Sequence, residues 1–338
     1  MPDRALIKAN LKNTVTKTEL KGFNKIYGGK VRDTFEKPAP PAPSKTAGSG
    51  AEGDGKMIII TTDRQSAFDR ILAAVPFKGA VLNLFSAFWF DKTKDIVPNH
   101  IIAVPDPNVS VVKKVKIFPV EVVVRGYITG TTDTSAWVNY SKGERIFCGV
   151  HLDEGLRKNQ KFDRPIITPT TKTAEHDAKI SREEIIAQNI MPENKWNKIE
   201  EYALKIFERG SKIAAEKGFI LVDTKYEFGE DENGNIVLAD EVHTPDSSRY
   251  WIAKTYQERF ASGQEPESFD KEFLRIWFVN HCDPYHDKVL PAAPDDLVEE
   301  LSYRYIDIYE KITGQKLEYN ADKSINERIQ ENLNKYFS

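Results

Sequence analysis

The stretch from Phe219 to Trp251 constrains this chain more than any other, because it combines a buried-strand signal, a tight-turn signal and a dense set of ionisable groups. Phe219 to Val222 reads as a buried strand and runs into Asp223, Lys225 and Glu227, which alternate at period two and so share one face. Asn233-Gly234 is the strongest short hairpin signal, and Ile236 to Ala239 supplies the return strand. A turn centred on Asn233-Gly234 puts Asp240 opposite Glu227. Two carboxylates about 5 Å apart across strands repel unless a positive charge sits between them. Oxygen ligands on rigid strands suit Mg²⁺, above all when phosphates complete its shell. Pro245-Asp246-Ser247-Ser248-Arg249 follows at once, with hydroxyls, turn amides and a guanidinium where an anion could dock. The segment reads as a metal–phosphate site.

A plainer reading exists. Alternating Asp, Lys and Glu also describe a solvated sheet face, and a loop of odd length would put Glu227 and Asp240 on opposite faces. What favours the site is the coincidence of an acid pair, a lysine and a hydroxyl–arginine turn in one hairpin.

The rest of the composition narrows the class. With 338 residues, two or three packed subdomains are expected. A formal net charge of −3 leaves no electrostatic footprint for nucleic acid. Cys148 and Cys282 are the two cysteines and have no metal-ligand spacing, which disfavours disulfides and structural zinc. The first residues contain no apolar core of signal-peptide length and no stretch approaches a membrane span, so a cytoplasmic protein without a membrane partner is expected. A monomer or small homo-oligomer is expected with it.

Along the chain, the fold class expected is α+β, with two sheet-bearing lobes and C-terminal helices. Residues 1–105 form an N-terminal β-rich lobe, in which the Pro/Gly/Ala/Ser-rich run 37–56 reads as a flexible insertion between two strands. Residues 106–253 form a central α+β lobe, and 254–338 a helical part. Strands are expected at 57–62, 109–115 and 120–124, and a helix over Leu82 to Trp89. Arg157 to Ile180, with Pro165, Pro169 and many Thr, reads as a loop. Ser181-Arg182-Glu183-Glu184 is a capping box, and Trp196 to Lys217 is an amphipathic helix that stops at Gly218. Helices are also expected over Lys254–Phe260, Lys271–His281, Asp295–Thr313 and Ser324–Phe337.

Four further segments carry chemistry. Gly28-Gly29-Lys30-Val31-Arg32 places glycines at a strand turn followed by cations, which suits a polyphosphate or an ordinary surface turn. Thr61 to Arg70 (TTDRQSAFDR) follows a buried strand, where ligands bind in layered folds and where Asp/Ser turns also occur. Val122 to Thr132 is an apolar strand that ends in Arg125 and a Gly/Thr turn. An arginine there needs an acidic or phosphate partner, since burying it unpaired costs several kcal/mol. Thr168 to Asp177 is polar, and its His176-Asp177 pair suits either a metal shell or a solvated loop.

DTKYEFG and DEVHTPDSSRYW closely resemble the signature segments of the phosphoribosylaminoimidazole-succinocarboxamide synthase (SAICAR synthetase) family. The turn at Gly29, the DR-SAFD segment, the strand through Arg125 and the loop ending in Glu175-His176-Asp177 are similar to the family's in the same order. The resemblance implies a two-lobed, ATP-grasp- or kinase-like fold with ATP between the lobes. The reaction it implies takes ATP, L-aspartate and 4-carboxy-5-aminoimidazole ribonucleotide to the succinocarboxamide, ADP and phosphate, through an acyl phosphate. ATP would be bound by Gly29, Lys30, Arg32, Glu227 and Asp240, and Mg²⁺ by Glu227, Asp240 and Asp177. Lys225, Asp240 and Glu227 would be the catalytic groups. Arg64, Ser66, Asp69, Arg125, Thr131, Lys172, Asp177, Ser247, Ser248 and Arg249 would bind the small-molecule substrates. Two rivals are a small-molecule kinase, which would need HRD- and DFG-type loops that the chain lacks, and a nucleotide-binding module that has lost turnover.

Overall fold

Runs of β-branched and aromatic residues build an antiparallel sheet in each of two units. The computed structural model describes residues 1–38, 55–68, 70–132, 134–172, 178–269, 272–318 and 323–338. One unit comprises Met1–Phe88, His100–Lys114 and Asp270–Ser338, the other Trp89–Asn99 and Val115–Phe269. The stretch expected as a separate helical part therefore divides: the helix Ala253–Ala261 belongs to the second unit and the helices after residue 270 to the first. The architecture is α+β.

In the first unit, five strands run in the order Asn24–Gly28, Arg32–Glu36, Lys56–Thr61, Val109–Lys113 and Ile101–Asp106. Phe35, Ile58, Ile60, Val109 and Val111 supply the apolar face, and Ile325, Ile329 and Leu333 of the helix Ile325–Phe337 cover it. That helix opens on the capping box of Ser324 and Glu327, and Gly314 in the left-handed region (φ 74) ends the helix Asp295–Thr313.

In the second unit the long strand Phe219–Glu230 pairs along one edge with Lys116–Ile128. Its other edge is shared: Ile236–Ala239 takes residues 227 to 230, and Ser248–Ile252 takes residues 219 to 224. Lys225 and Tyr226 thus lie where the ladder changes partner, and the segment 240–247 leaves the sheet beside them. The helix Glu193–Glu216 covers this sheet with Trp196, Ile199, Ala203, Ile206, Phe207, Gly210 and Ala214, one stripe at helical spacing.

Two further expectations change. The span 157–180 is not a loop throughout, because Gln160–Ile167 is a strand paired with Lys116–Ile128 and a short bridge forms at Thr170–Thr171. Pro165 is tolerated because the register shifts between Lys161 and Ile166, which relieves it of a ladder hydrogen bond. Glu227 pairs with Ala239 rather than Asp240. The connecting loop is longer than a two-residue turn: Asp231 accepts from the Asn233 and Asn235 amides at 2.9 and 2.8 Å and sets this register.

Candidate active site

On the strand Phe219–Glu230, residues 223, 225 and 227 face one way, and the neighbouring strand presents Glu121, Val123 and Arg125 directly opposite Glu227, Lys225 and Asp223. Two groups form on this face. At one end Glu121 and Glu227 are a cross-strand carboxylate pair, and the Lys225 ammonium donates to Glu121 Oε1 at 2.5 Å and Glu227 Oε1 at 3.3 Å. Lys172 makes a second ion pair with Glu227. Burial alone would pull the Lys225 ammonium down, but the charges of Glu227, Glu121 and Asp240 outweigh it and raise its pKa. Burial and then the Asp240 charge push the Glu227 carboxyl up, against Lys225 and Lys172. The carboxylate repulsion expected from the sequence is present, and the residue opposite Glu227 is Glu121.

Asp240 reaches the same cluster by another route. It lies one residue past the strand in the left-handed region (φ 60), so strand alternation no longer decides which way its side chain faces.

At the other end of the face, the Asp223 carboxylate takes Arg249 at 2.5 Å and Arg125 at 3.5 Å. Arg125 is buried and also donates to Thr168 Oγ1 at 2.8 Å. Two guanidiniums around one carboxylate leave a net positive charge, and a recess of about 160 Å³ opens over them, lined also by Thr132, Thr134, Ser135 and Ser247. Ser248 is buried and its hydroxyl donates to Thr224 Oγ1 at 2.8 Å; Thr131 is exposed. The recess can hold a phosphate-sized anion.

In the first unit, the turn between Asn24–Gly28 and Arg32–Glu36 is closed by Gly29 N donating to Arg32 O at 2.7 Å. A Cβ on Gly29 would stand 3.0 Å from that carbonyl, a crowded approach that glycine avoids. Arg64 is buried beneath it. Its guanidinium donates to the carbonyls of Lys30, Gly29 and Thr16 and, at 2.8 and 3.2 Å, to the two oxygens of Asp33. Burial would raise the Asp33 carboxyl, but Arg64, Thr18 and Lys25 hold it below its ordinary value. All five N–H donors of Arg64 are thus engaged within the protein, which fits the turn's support better than a ligand contact. Exposed Lys30 lines a recess of about 540 Å³ with Tyr27, Gly28, Gly29, Arg70 and Ile71, and Arg32 is half-buried at the head of its strand. Ser66 is half-buried in the strand Arg64–Ala67, and Asp69 lies outside the described residues. Arg70 donates to the carbonyls of Pro284, Asp287 and Lys288, which fixes the base of the hairpin.

Glu175, His176 and Asp177 also lie outside the described residues. Among those described, no group of three His, Cys, Asp or Glu side chains could hold a metal ion by itself. Glu227 and Asp240 offer hard oxygen donors that repel each other, a set that suits Mg²⁺ with phosphate oxygens completing its shell. Sequence reasoning missed Glu121, though a lone acid inside the apolar run FPVEVVV is a signal that could have found it. It also missed Thr132, Thr134 and Ser135, whose lining role depends on the fold of the turn after Ile128.

Comparison with known proteins gives the family of the chain. Residues 25–292 match the model of the SAICAR synthetase family. The phosphoribosylaminoimidazole-succinocarboxamide synthase of Legionella pneumophila (strain Paris) is 55% identical over 323 residues, 95% of this chain and 98% of the relative. Among solved structures, the SAICAR-synthase of Saccharomyces cerevisiae complexed with SAICAR superposes with a TM-score of 0.73 and 34% identity, covering 90% of this chain and 100% of that one. A type-2 SAICAR synthetase in complex with ADP gives 0.62 and 29% identity, over 87% and 99%.

Proposed function

The chain belongs to the SAICAR synthetase family, and from that premise we propose how its residues carry the reaction. The enzyme joins L-aspartate to 4-carboxy-5-aminoimidazole ribonucleotide with ATP, giving the succinocarboxamide, ADP and phosphate in de novo purine biosynthesis. A carboxylate is a poor electrophile, so the γ-phosphoryl group first passes to the ribonucleotide's carboxylate, forming an acyl phosphate. The aspartate amine then attacks the acyl carbon, the C–O bond to phosphate breaks, and the amine's proton leaves to a carboxylate. Both steps need positioning and charge neutralisation more than a protein nucleophile.

In this reading the Gly29 turn, Lys30 and Arg32 hold the ATP phosphates, and Arg64 with Asp33 sets the turn. Arg125 and Arg249, with Ser247, Thr131, Thr132, Thr134 and Ser135, hold the ribonucleotide's phosphate, while Ser248 braces Thr224. Ser66 and Asp69 help to hold the second substrate, with Lys172 and Asp177 at the reacting end. Lys225 stabilises the transferring charge. Mg²⁺ would be held by Glu227 and Asp240, with Asp177 added, and would neutralise phosphate charge. Glu121 fixes the Lys225 ammonium. The observation that carries this reading is Lys225 held between Glu121 and Glu227 on the same face as the Arg125–Asp223–Arg249 recess. A cytoplasmic monomer or small homo-oligomer is proposed with it; among the described residues no helix is long and apolar enough to cross a membrane.

The test is ADP release from MgATP and the ribonucleotide, with and without L-aspartate. Release that requires all three, with a product heavier by the aspartyl residue, is expected. Release without aspartate would mean a kinase. Asp240→Asn should lower kcat by about 10²-fold or more and weaken Mg²⁺ dependence; near-normal turnover would sink the metal assignment.

A further inference from the structure

The segment from Asp240 to Thr244 carries two non-glycine residues in the left-handed region, Asp240 (φ 60) and His243 (φ 50). Each is a conformation that L-residues adopt at a cost and keep where surrounding structure over-determines it. The surroundings of His243 are unusual. The residue is fully buried, its Nε2 lies 2.5 Å from the Tyr226 hydroxyl, and its carbonyl accepts from Tyr250 Oη at 2.7 Å. Trp89 meets the ring edge-on at 4.8 Å between centroids. The Nδ1 atom has no hydrogen-bond partner among the described residues.

The reason lies in the helix Glu193–Glu216. A Cβ built on Gly210 would fall 2.1 Å from His243 Cε1 and 2.6 Å from Nδ1, so the imidazole rests on the bare Cα of that glycine. An unsatisfied buried nitrogen and a helix-interior glycine are each unfavourable by themselves. Together they admit a ring whose position is fixed on three sides: by Gly210, by Tyr226, which lies between Lys225 and Glu227, and by Trp89.

We propose that the seating of His243 on Gly210, held by the Tyr226 hydroxyl, is the device that sets the backbone of Asp240 and so places its carboxylate against Glu227 and Lys225. His243, Gly210 and Tyr226 are then positioning residues. The functional consequence rests on the reading of Asp240 as a metal-binding carboxylate; the geometric claim does not.

Gly210→Ala forces the ring off its seat, and Tyr226→Phe removes its tether without changing volume. The decisive measurements are crystal structures of both variants, with the affinity for ADP measured with and without Mg²⁺. Asp240 is expected to leave the left-handed region in Gly210→Ala, and the tightening of ADP by Mg²⁺ to shrink about 10-fold while metal-free ADP binds within two-fold of the parent. Tyr226→Phe should move both in the same direction by a smaller amount. A merely structural role would lower the melting temperature and leave the Mg²⁺ increment intact. Asp240 unmoved in both variants overturns the proposal, and if Gly210→Ala does not fold, Tyr226→Phe decides it. Asp240→Asn is the control: an undiminished Mg²⁺ increment there overturns the metal reading of Asp240, while a displaced Asp240 in Gly210→Ala still upholds the lock.

Discussion

Glu121, Glu227 and Asp240 all bear on the Lys225 ammonium, and Lys172 adds a second positive charge at Glu227. This excess of negative charge has a sign that can be tested. Burial and Asp240 raise the Glu227 carboxyl above its ordinary 4.5. The native state therefore binds that proton more avidly than the unfolded chain. The stability this confers is fully present below 4.5 and is lost as pH rises through the higher native value. Asp240→Asn removes the second-largest cause of the shift. Melting temperatures measured from pH 4.5 to 7 should fall less in that variant than in the parent, even as turnover is lost. Parallel curves would show that Asp240 does not act on Glu227.

Among the elements, the Gly28–Arg32 turn shows how a flexible-looking motif is made rigid. A turn of two glycines has many conformations available, and Arg64 removes them by donating to two of its carbonyls and to Asp33. Lysine keeps the charge but lacks the fork, so carbonyls of Lys30, Gly29 and Thr16 lose their donors while Asp33 keeps Thr18 and Lys25. Arg64→Lys should cost about 1–3 kcal/mol of stability and weaken ADP binding about 10-fold, read by denaturant unfolding and titration calorimetry. Unchanged ADP affinity would show that the turn does not need its clamp. Elements with local determinants were legible in the sequence: the capping box at Ser181, and the helices Asp295–Thr313 and Ile325–Phe337. Elements with remote determinants were not. The strand Gln160–Ile167 exists because Lys116–Ile128 offers it an edge, and no local pattern announces that edge past Pro165. The register of Glu227 likewise depends on how Asp231 folds its loop, and so the partner acid proved to be Glu121, a hundred residues upstream. The resemblance to a known family pointed to the segments expected to carry the reaction, and local patterns could not say which hydroxyl lines a recess and which braces a neighbour.

At the scale of the whole molecule, the first unit is assembled from three separated stretches of chain. Its last helix supplies Ile325, Ile329 and Leu333 to the core and Arg328 and Asn332 to the buried Asp106 carboxylate. Three such side chains contribute about 5–9 kcal/mol, comparable to the entire stability of a domain. Ending the chain at residue 323 should therefore leave the first unit unfolded, with rapid proteolysis between residues 24 and 61; a protease-resistant truncation with native circular dichroism would refute this. The same arrangement has a consequence on the ribosome. Strands completed by residue 113 wait for roughly 200 further residues, about 10–40 s at ordinary elongation rates, before the helix that covers them exists. The second unit, contiguous but for residues 89–99, can fold during that interval. The nascent N-terminal sheet is then the part of this enzyme exposed longest to aggregation during synthesis, and a chain permuted to begin with residues 270–338 would shorten the wait.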